Sequence, residues 1–304
     1  MHRALVVYNP VSRNAPSWIR LQDAAHSMAA EGWDVSVTAT QAQGHGIELA
    51  RAAAAEGVEV VFSCGGDGTI NEVLNGIAGS TTALGVLRGG MGDVFGKEAG
   101  IPKAPEKGLR VLVDGARHRI DLGRANERYF LLMAGVGFDA EVVKAVPSRP
   151  KRLLGSTSYA LWAVAKLPRY RARPVDLTVE GDRISANAYW LLLGNTRSYG
   201  GILNITGAAL ADDGLLDAYL FEVRGPIDVA ATAARLVIGK HGSRDNVTFS
   251  RVRELEVTTP GLAVQLDGEY CGETPVRFTI EPLALEVLLP RGKADQLFGR
   301  PAVT

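Results

Sequence analysis

The stretch Ser63-Cys64-Gly65-Gly66-Asp67-Gly68-Thr69-Ile70-Asn71-Glu72-Val73-Leu74-Asn75-Gly76-Ile77 constrains the fold more than any other part of the chain. Before it, Val58 to Phe62 is a short β-branched and aromatic run; after it, Ile70, Val73, Leu74 and Ile77 recur at i, i+3, i+4 and i+7. The pattern predicts a strand, a tight loop and a helix. Gly65, Gly66 and Gly68 let the backbone turn sharply and approach a ligand, and a helix N-terminus offers unpaired N–H groups to an anion. Asp67 stands in the middle of the loop. A carboxylate beside bare amides suits phosphates only when a divalent cation lies between them, so the loop predicts a site for a nucleoside triphosphate with Mg²⁺. A purely structural reading competes for Asp67 alone, because Thr69-x-x-Glu72 is also a capping box.

A chain of 304 residues accommodates one large or two ordinary domains. Its formal net charge of +0 gives no global basic field, and no nucleic-acid partner is expected. The two cysteines, Cys64 and Cys271, lack metal-ligand spacing and fit a reducing cytoplasm. Cys64, at the end of an apolar strand, reads as buried filler rather than a nucleophile. No apolar run approaches the roughly 20 residues that span a bilayer, and Met1 to Pro10 lacks a signal-peptide pattern. A soluble, cytoplasmic protein is expected.

From the first residue, Ala4 to Tyr8 reads as a buried strand ending in Asn9-Pro10-Val11-Ser12. A helix marked by Trp18, Leu21, Ala25 and Met28 follows, then a strand ending at Thr40 and a helix from Ile47 to Glu56. With the central strand and its helix this is β-α-β-α-β-α, the pattern of a parallel sheet covered by helices. Ligands of such sheets bind outside the carboxyl ends of the strands, which is where Asn9, Ser12, Thr40 and the Gly65 to Thr69 loop fall. Ala83 to Leu87 is the next strand and runs into Arg88-Gly89-Gly90-Met91-Gly92-Asp93, a second glycine loop with a second aspartate. Two such loops on neighbouring strands are placed to close over one phosphate chain.

Beyond a helix near Pro105 to Asp114 the texture becomes β-rich. Strands are predicted at Arg119 to Leu122, Tyr129 to Met133, Val175 to Val179, Ala188 to Leu193, Leu215 to Phe221, Leu255 to Thr258, Ala263 to Leu266, Arg277 to Ile280 and Ala284 to Leu289. Helices are predicted at Leu153 to Leu167 and Ile227 to Ile238. Short strands separated by turns point to a β-sandwich. Gly135-Val136-Gly137-Phe138-Asp139-Ala140 matches a dinucleotide fingerprint on paper, but it does not open a βαβ unit and reads as a tight turn.

These motifs together resemble the diacylglycerol kinase catalytic family, in particular its soluble bacterial lipid kinases. The resemblance rests on Asn9-Pro10-x-Ser12, Gly65-Gly66-Asp67-Gly68-Thr69 with Asn71-Glu72, Asp121-Leu122-Gly123, Ala134-Gly135-x-Gly137-Phe138-Asp139, Asn195 with Gly200-Gly201, Asp212-Asp213-Gly214-Leu215-Leu216-Asp217, and Asp267-Gly268-Glu269 with Pro275. It covers nearly the whole chain. It implies a nucleotide-binding α/β domain over 1–122, akin to phosphofructokinases and NAD kinases, with 290–304 returning to it, a β-sandwich lipid-substrate domain over 123–289, and a cleft between the two. It further implies that Asp67 organises Mg²⁺ and the phosphates of ATP with help from Asp93 and Asp121. The nucleotide wall would include Asn9, Ser12, Thr40, Gly65, Gly66, Gly68, Thr69, Glu72, Gly89 and Gly90. Glu269 matches the family's general base, and Asp213 with the Leu215 carbonyl matches a second, structural Mg²⁺ site. Ordinary readings stay open beside these: Asp-Asp-Gly is turn chemistry, and Asp267-Gly268 suits a type I′ hairpin that would aim Glu269.

One segment departs from the family pattern. The second loop keeps a glycine and Asp93 but lacks the proline, threonine and asparagine usual there; Arg88 is placed to replace some of that lost function, though it reads first as a solvated arginine. Between Val142 and Val175 there is no acidic residue, while Lys144, Arg149, Lys151, Arg152, Lys166, Arg169, Arg171 and Arg173 flank aromatics. That 144–173 stretch suits contact with an anionic membrane surface holding a lipid substrate, and it equally suits a core helix with solvated ends. The expected activity is phosphoryl transfer from ATP to a lipid hydroxyl such as that of diacylglycerol. An NAD kinase and a non-catalytic nucleotide- or lipid-binding homologue are the alternatives, and the sequence leaves a homodimer open.

Overall fold

The computed structural model describes residues 1–146, 170–196, 209–222, 228 and 246–292. The helices expected over 153–167 and 227–238, Gly200-Gly201, the returning segment 293–304 and most of the basic 144–173 stretch lie outside the described residues. The chain divides into two compact units, Met1–Leu122 with a return at Pro282, and Gly123–Glu281.

The first unit alternates strands and helices: β1 (His2–Tyr8), α1 (Trp18–Ser27), β2 (Trp33–Ala39), α2 (His45–Ala55), β3 (Val60–Gly65), α3 (Asp67–Ile77), β4 (Ala83–Arg88), α4 (Val94–Glu98), α5 (Pro105–Val113) and β5 (Ala116–Ala125). Strands pair in the order β2-β1-β3-β4, all parallel, and β4 pairs in parallel with the end of a last strand, β16 (Val276–Leu289), through Leu84 and Val287. Every residue of β3 is buried, as expected of a central parallel strand covered on both faces. On α3 the predicted period holds, since Ile70, Val73, Leu74 and Ile77 are all buried. That register fixes the strand-to-helix turn at Gly66 and places the glycine loop at the carboxyl end of the sheet.

The second unit is an antiparallel β-sandwich. One sheet runs β12 (Val247–Val252), β11 (Leu216–Phe221), β10 (Trp190–Gly194), β7 (Met133–Gly137), β14 (Ala263–Leu266), β15 (Glu269–Glu273). Facing strands include β8 (Arg173–Val179), β9 (Asp182–Ala188), β13 (Glu254–Val257) and the first part of β16, while β6 (Arg128–Phe130) pairs with the end of β5. Inward residues of both layers, among them Phe130, Val136, Leu193, Val264, Leu255 and Phe278, form one core. A helix, α6 (Phe138–Ala145), follows β7. No helix among the described residues is long and apolar enough to cross a membrane.

Several elements differ from expectation for identifiable reasons. The two strands predicted over 277–289 are one strand bent at Leu283, where φ is +51° and the backbone N–H donates to Asp121 Oδ1 at 2.7 Å. A side-chain acceptor at the bend keeps the strand continuous, so the chain returns to the first unit at Pro282, ahead of the 290 expected. Strand β9 is almost wholly exposed and carries no apolar alternation to read. Helix α4 is five residues long, too short for a 3.6-residue period to show.

Candidate active site

In the first unit, the turns after β1, β3 and β4 interlock. Asn9 accepts the Val11 N–H on its Oδ1 and donates from Nδ2 to Thr69 Oγ1 at 3.1 Å. Ser12 Oγ donates to the Gly89 carbonyl at 2.8 Å, and Asn14 donates from Nδ2 to the Gly90 carbonyl at 2.7 Å. Thr40 sits at the end of β2, its N–H on the Tyr8 carbonyl. The two glycine loops meet backbone to backbone. A Cβ on Gly90 would stand 2.5 Å from Gly66 Cα, and one on Gly89 would stand 3.2 Å from Gly65 N. These glycines therefore serve the approach of one loop to the other, not only that of a ligand. Gly66 is the N-cap of α3 and has no side chain to accept the helix's first amides, which leaves the helix N-terminus facing the loop.

Thr69-x-x-Glu72 is not a capping box. The Glu72 carboxylate accepts the N–H groups of Gly44 (2.8 Å) and Gly46 (2.9 Å), so this expected nucleotide residue ties down the start of α2. Asp67 is half-buried, and its Oδ1 accepts the Val94 N–H at 2.9 Å. Asp93 has φ +45° and accepts the Gly90 N–H on Oδ1 at 2.7 Å. Burial pushes its carboxyl up against the opposing pull of that amide, Arg88 and Lys97. Arg88 is not solvated as expected. Its Nε lies 3.5 Å from Asp93 Oδ2, an Nη donates to the Ile101 carbonyl, and only 21% of the side chain is exposed. The altered loop is thus rebuilt around an Arg88–Asp93 pair. Asp121, expected in the acidic network, is fully buried and holds the Leu283 bend. Cys64 is buried, and that burial pushes its thiol up to about 12, which removes it as a nucleophile.

Among the described residues no three acidic, His or Cys side chains gather into a cage that a metal ion could occupy by protein ligands alone. Mg²⁺ seldom needs one: it is commonly held by one or two carboxylates together with substrate phosphates and water. Half-buried Asp67, with one oxygen committed to an amide beside a bare helix N-terminus, fits that shared mode.

In the second unit, Asp267 (φ +50°) and Gly268 (φ +80°) form the type I′ turn between β14 and β15, with Leu266 paired to Glu269. The Asp267 carboxylate accepts three successive N–H groups, of Leu131, Leu132 and Met133, at 2.8, 2.8 and 3.1 Å. Gln265 accepts the Gly268 N–H on Oε1 and donates from Nε2 to Asp139 Oδ2 at 3.0 Å. The Asp139 carboxylate lies over Gly135, where a Cβ would come 2.1 Å from Oδ2. The paper match to a dinucleotide fingerprint is therefore a glycine making room for an aspartate that braces the Asp-Gly-Glu turn. The Glu269 carboxylate has one partner among the described residues, Arg128, whose Nη2 donates to Oε2 at 3.0 Å. Arg128, Gln265 and Asn14 do not stand out in the sequence; none carries a motif of its own, and each acts through a contact that no local pattern reveals.

Asp213 accepts the Leu215 N–H at 3.1 Å, which is turn chemistry, and Arg251 lies 3.9 Å from Asp213 and 3.2 Å from Asp217. Burial pushes the Asp217 carboxyl up to about 6, against the pull of Arg251. Its Oδ2 is buried without a hydrogen-bond partner among the described residues. The folded protein therefore holds this proton more tightly than the unfolded chain. Stability from this group is full below about pH 4 and declines as pH rises toward 6. Asp217→Asn is expected to remove that decline, on the order of 1 kcal/mol once solvent screening is allowed for. Urea unfolding of both proteins at pH 4.5 and 7.5 checks this; equal pH slopes would contradict it.

A parallel α/β unit with interlocked glycine loops at its strand ends, followed by an antiparallel sandwich presenting a carboxylate on a tight turn, defines a nucleotide-binding class of two-unit proteins. Comparison with known proteins narrows the class. Residues 3–125 match the diacylglycerol kinase catalytic domain, and residues 133–289 match the YegS C-terminal NAD kinase beta sandwich-like domain. The chain belongs to the diacylglycerol kinase catalytic family. It is 29% identical over 301 residues to the diacylglycerol kinase of Bacillus subtilis (strain 168), covering 98% of this chain and 99% of that one. It is 28% identical over 291 residues to the diacylglycerol kinase of Staphylococcus aureus (strain bovine RF122 / ET3-1), covering 95% and 92%. A crystal structure of a diacylglycerol kinase from Bacillus anthracis str. Sterne superposes with a TM-score of 0.72 at 19% identity over 95% of this chain and 97% of that chain, a likeness of fold.

Proposed function

We propose that the protein is a lipid kinase that transfers the γ-phosphoryl group of ATP to a lipid hydroxyl, with diacylglycerol, giving phosphatidic acid, as the first candidate. The observation that carries this reading is the turn at Asp267–Gly268, braced by four side-chain hydrogen bonds and presenting a Glu269 carboxylate that Arg128 holds by one oxygen. A carboxylate so fixed suits removal of a proton from an alcohol nucleophile. The near-full-length relatives named as diacylglycerol kinases support the choice of acceptor. In this reaction the amides of the glycine loop at the α3 N-terminus, Gly66 to Gly68, receive phosphate oxygens, and Asp67 holds the cation. Bound Mg²⁺ would neutralise charge on the β and γ oxygens. The Arg88–Asp93 pair keeps the second glycine loop in place against the first. Action at a cytoplasmic membrane surface follows from an acceptor that resides in a bilayer.

The test is transfer of labelled γ-phosphate to a panel of diacylglycerol, other lipid alcohols and NAD, with and without Mg²⁺. Label in diacylglycerol is expected. Label in NAD instead would convert the reading to an NAD kinase, and label in neither would make the protein a non-catalytic homologue.

A further inference from the structure

The structure assigns Arg128 the task of positioning the Glu269 carboxylate, so that Oε2 is held and Oε1 is the oxygen that meets the acceptor hydroxyl. This rests on the lipid kinase reading above, in which Glu269 is the base.

The backbone under Glu269 is fixed three ways. The type I′ turn sets its direction, the Asp267 carboxylate anchors the turn to residues 131–133, and the Gln265 side chain holds the Gly268 N–H. None of these contacts touches the Glu269 side chain. A glutamate has three side-chain torsions, and a partly exposed one samples several rotamers unless something holds its head group. Arg128 is the group that does so. Its Nη2 lies 3.0 Å from Oε2, with the side chains 33% and 28% exposed. The guanidinium is itself held, because Nη1 lies 3.8 Å from the sulfur of Cys271, the residue of β15 that the β14–β15 register skips. Arg128 is in turn placed by a short hairpin. Ala125 pairs with Arg128 across Asn126-Glu127, and Asn126 exchanges hydrogen bonds with the backbone of Arg277, donating its N–H to the carbonyl and accepting the amide on Oδ1. A rigid, planar guanidinium with one arm on Cys271 and the other on Oε2 leaves Oε1 oriented, which a free glutamate would not be. Misplacing a reacting group by about 1 Å is enough to cost roughly 100-fold.

The experiment is a double-mutant cycle on the full chain with Arg128→Ala, Arg128→Lys and Glu269→Gln, reading kcat and KM for lipid and nucleotide, with thermal unfolding as a control on folding. Arg128→Ala is expected to lower kcat about 10- to 100-fold with both KM values within about twofold. Arg128→Lys should recover part of that loss. In the Glu269→Gln background, Arg128→Ala should cost almost nothing more, because the group it positions can no longer take a proton. A raised KM at unchanged kcat would make Arg128 a substrate ligand and overturn the inference. Full additivity with Glu269→Gln would also overturn it while leaving the base intact. Near-normal turnover in Glu269→Gln alone would instead defeat the lipid kinase reading's base and the inference with it. If Arg128→Ala does not fold, the Arg128→Lys arm of the cycle decides by the same criteria.

Discussion

Glu269→Gln is expected to fold normally and to lose about 10²- to 10⁴-fold in turnover, the range for a missing general base. Glutamine keeps the size of the side chain and an oxygen that accepts from Arg128, but it cannot take a proton at neutral pH. Folding should survive because the Glu269–Arg128 pair is partly exposed, and such pairs contribute about 0–1 kcal/mol. The turn itself is held by Asp267 and Gln265, which the substitution does not touch. Phosphoryl transfer measured at saturating lipid and nucleotide, beside a thermal unfolding scan, separates the two expectations. Turnover near that of the unaltered protein would remove Glu269 from the mechanism.

How much of this site is readable in the sequence depends on how far apart the interacting residues lie. The β3–loop–α3 segment is legible because its signals are local: a β-branched run, glycines and a 3.6-residue period that the buried Ile70, Val73, Leu74 and Ile77 obey. The type I′ turn at Asp267–Gly268 is legible for the same reason. Asp67, Glu72 and Asp121 stand out in the sequence, yet their partners include Val94, Gly44 with Gly46, and Leu283, none of which a local pattern reveals. Glu72 shows where local reasoning fails. Its spacing from Thr69 fits a cap, but a carboxylate that reaches two amides at the start of another helix satisfies more donors than a cap would. Arg88 misleads in the opposite direction, since a lone arginine after a strand looks solvated until Asp93 and the Ile101 carbonyl are seen around it.

The rebuilt second loop also changes what Asp93 can do. One oxygen accepts the Gly90 N–H, the other faces Arg88, and the side chain is 5% exposed. A carboxylate so committed braces the loop from within. The glycine at 90 is then required by geometry, because its Cα must pass close to Gly66 for the two loops to meet. Of the two loop aspartates, Asp93 is enclosed and Asp67 is the half-buried one.

Asp67→Asn carries that conclusion to a second large effect: turnover should fall about 10²- to 10³-fold, the loss typical of removing one preorganised electrostatic stabiliser. The Mg²⁺ concentration for half-maximal activity should rise in parallel. Asparagine retains a carbonyl oxygen for the Val94 N–H, so the tether between the first loop and the start of α4 persists and the fold should be unaffected. Asp67→Ala deletes the tether as well as the charge, leaving a buried amide unsatisfied at a cost of about 1–3 kcal/mol. Comparing the two variants separates the roles. If both lose activity equally and only the alanine variant loses stability, the charge is what the reaction uses. If the asparagine variant shows an unaltered Mg²⁺ titration and nearly full turnover, Asp67 is a tether between loops, and the cation must be held by other means.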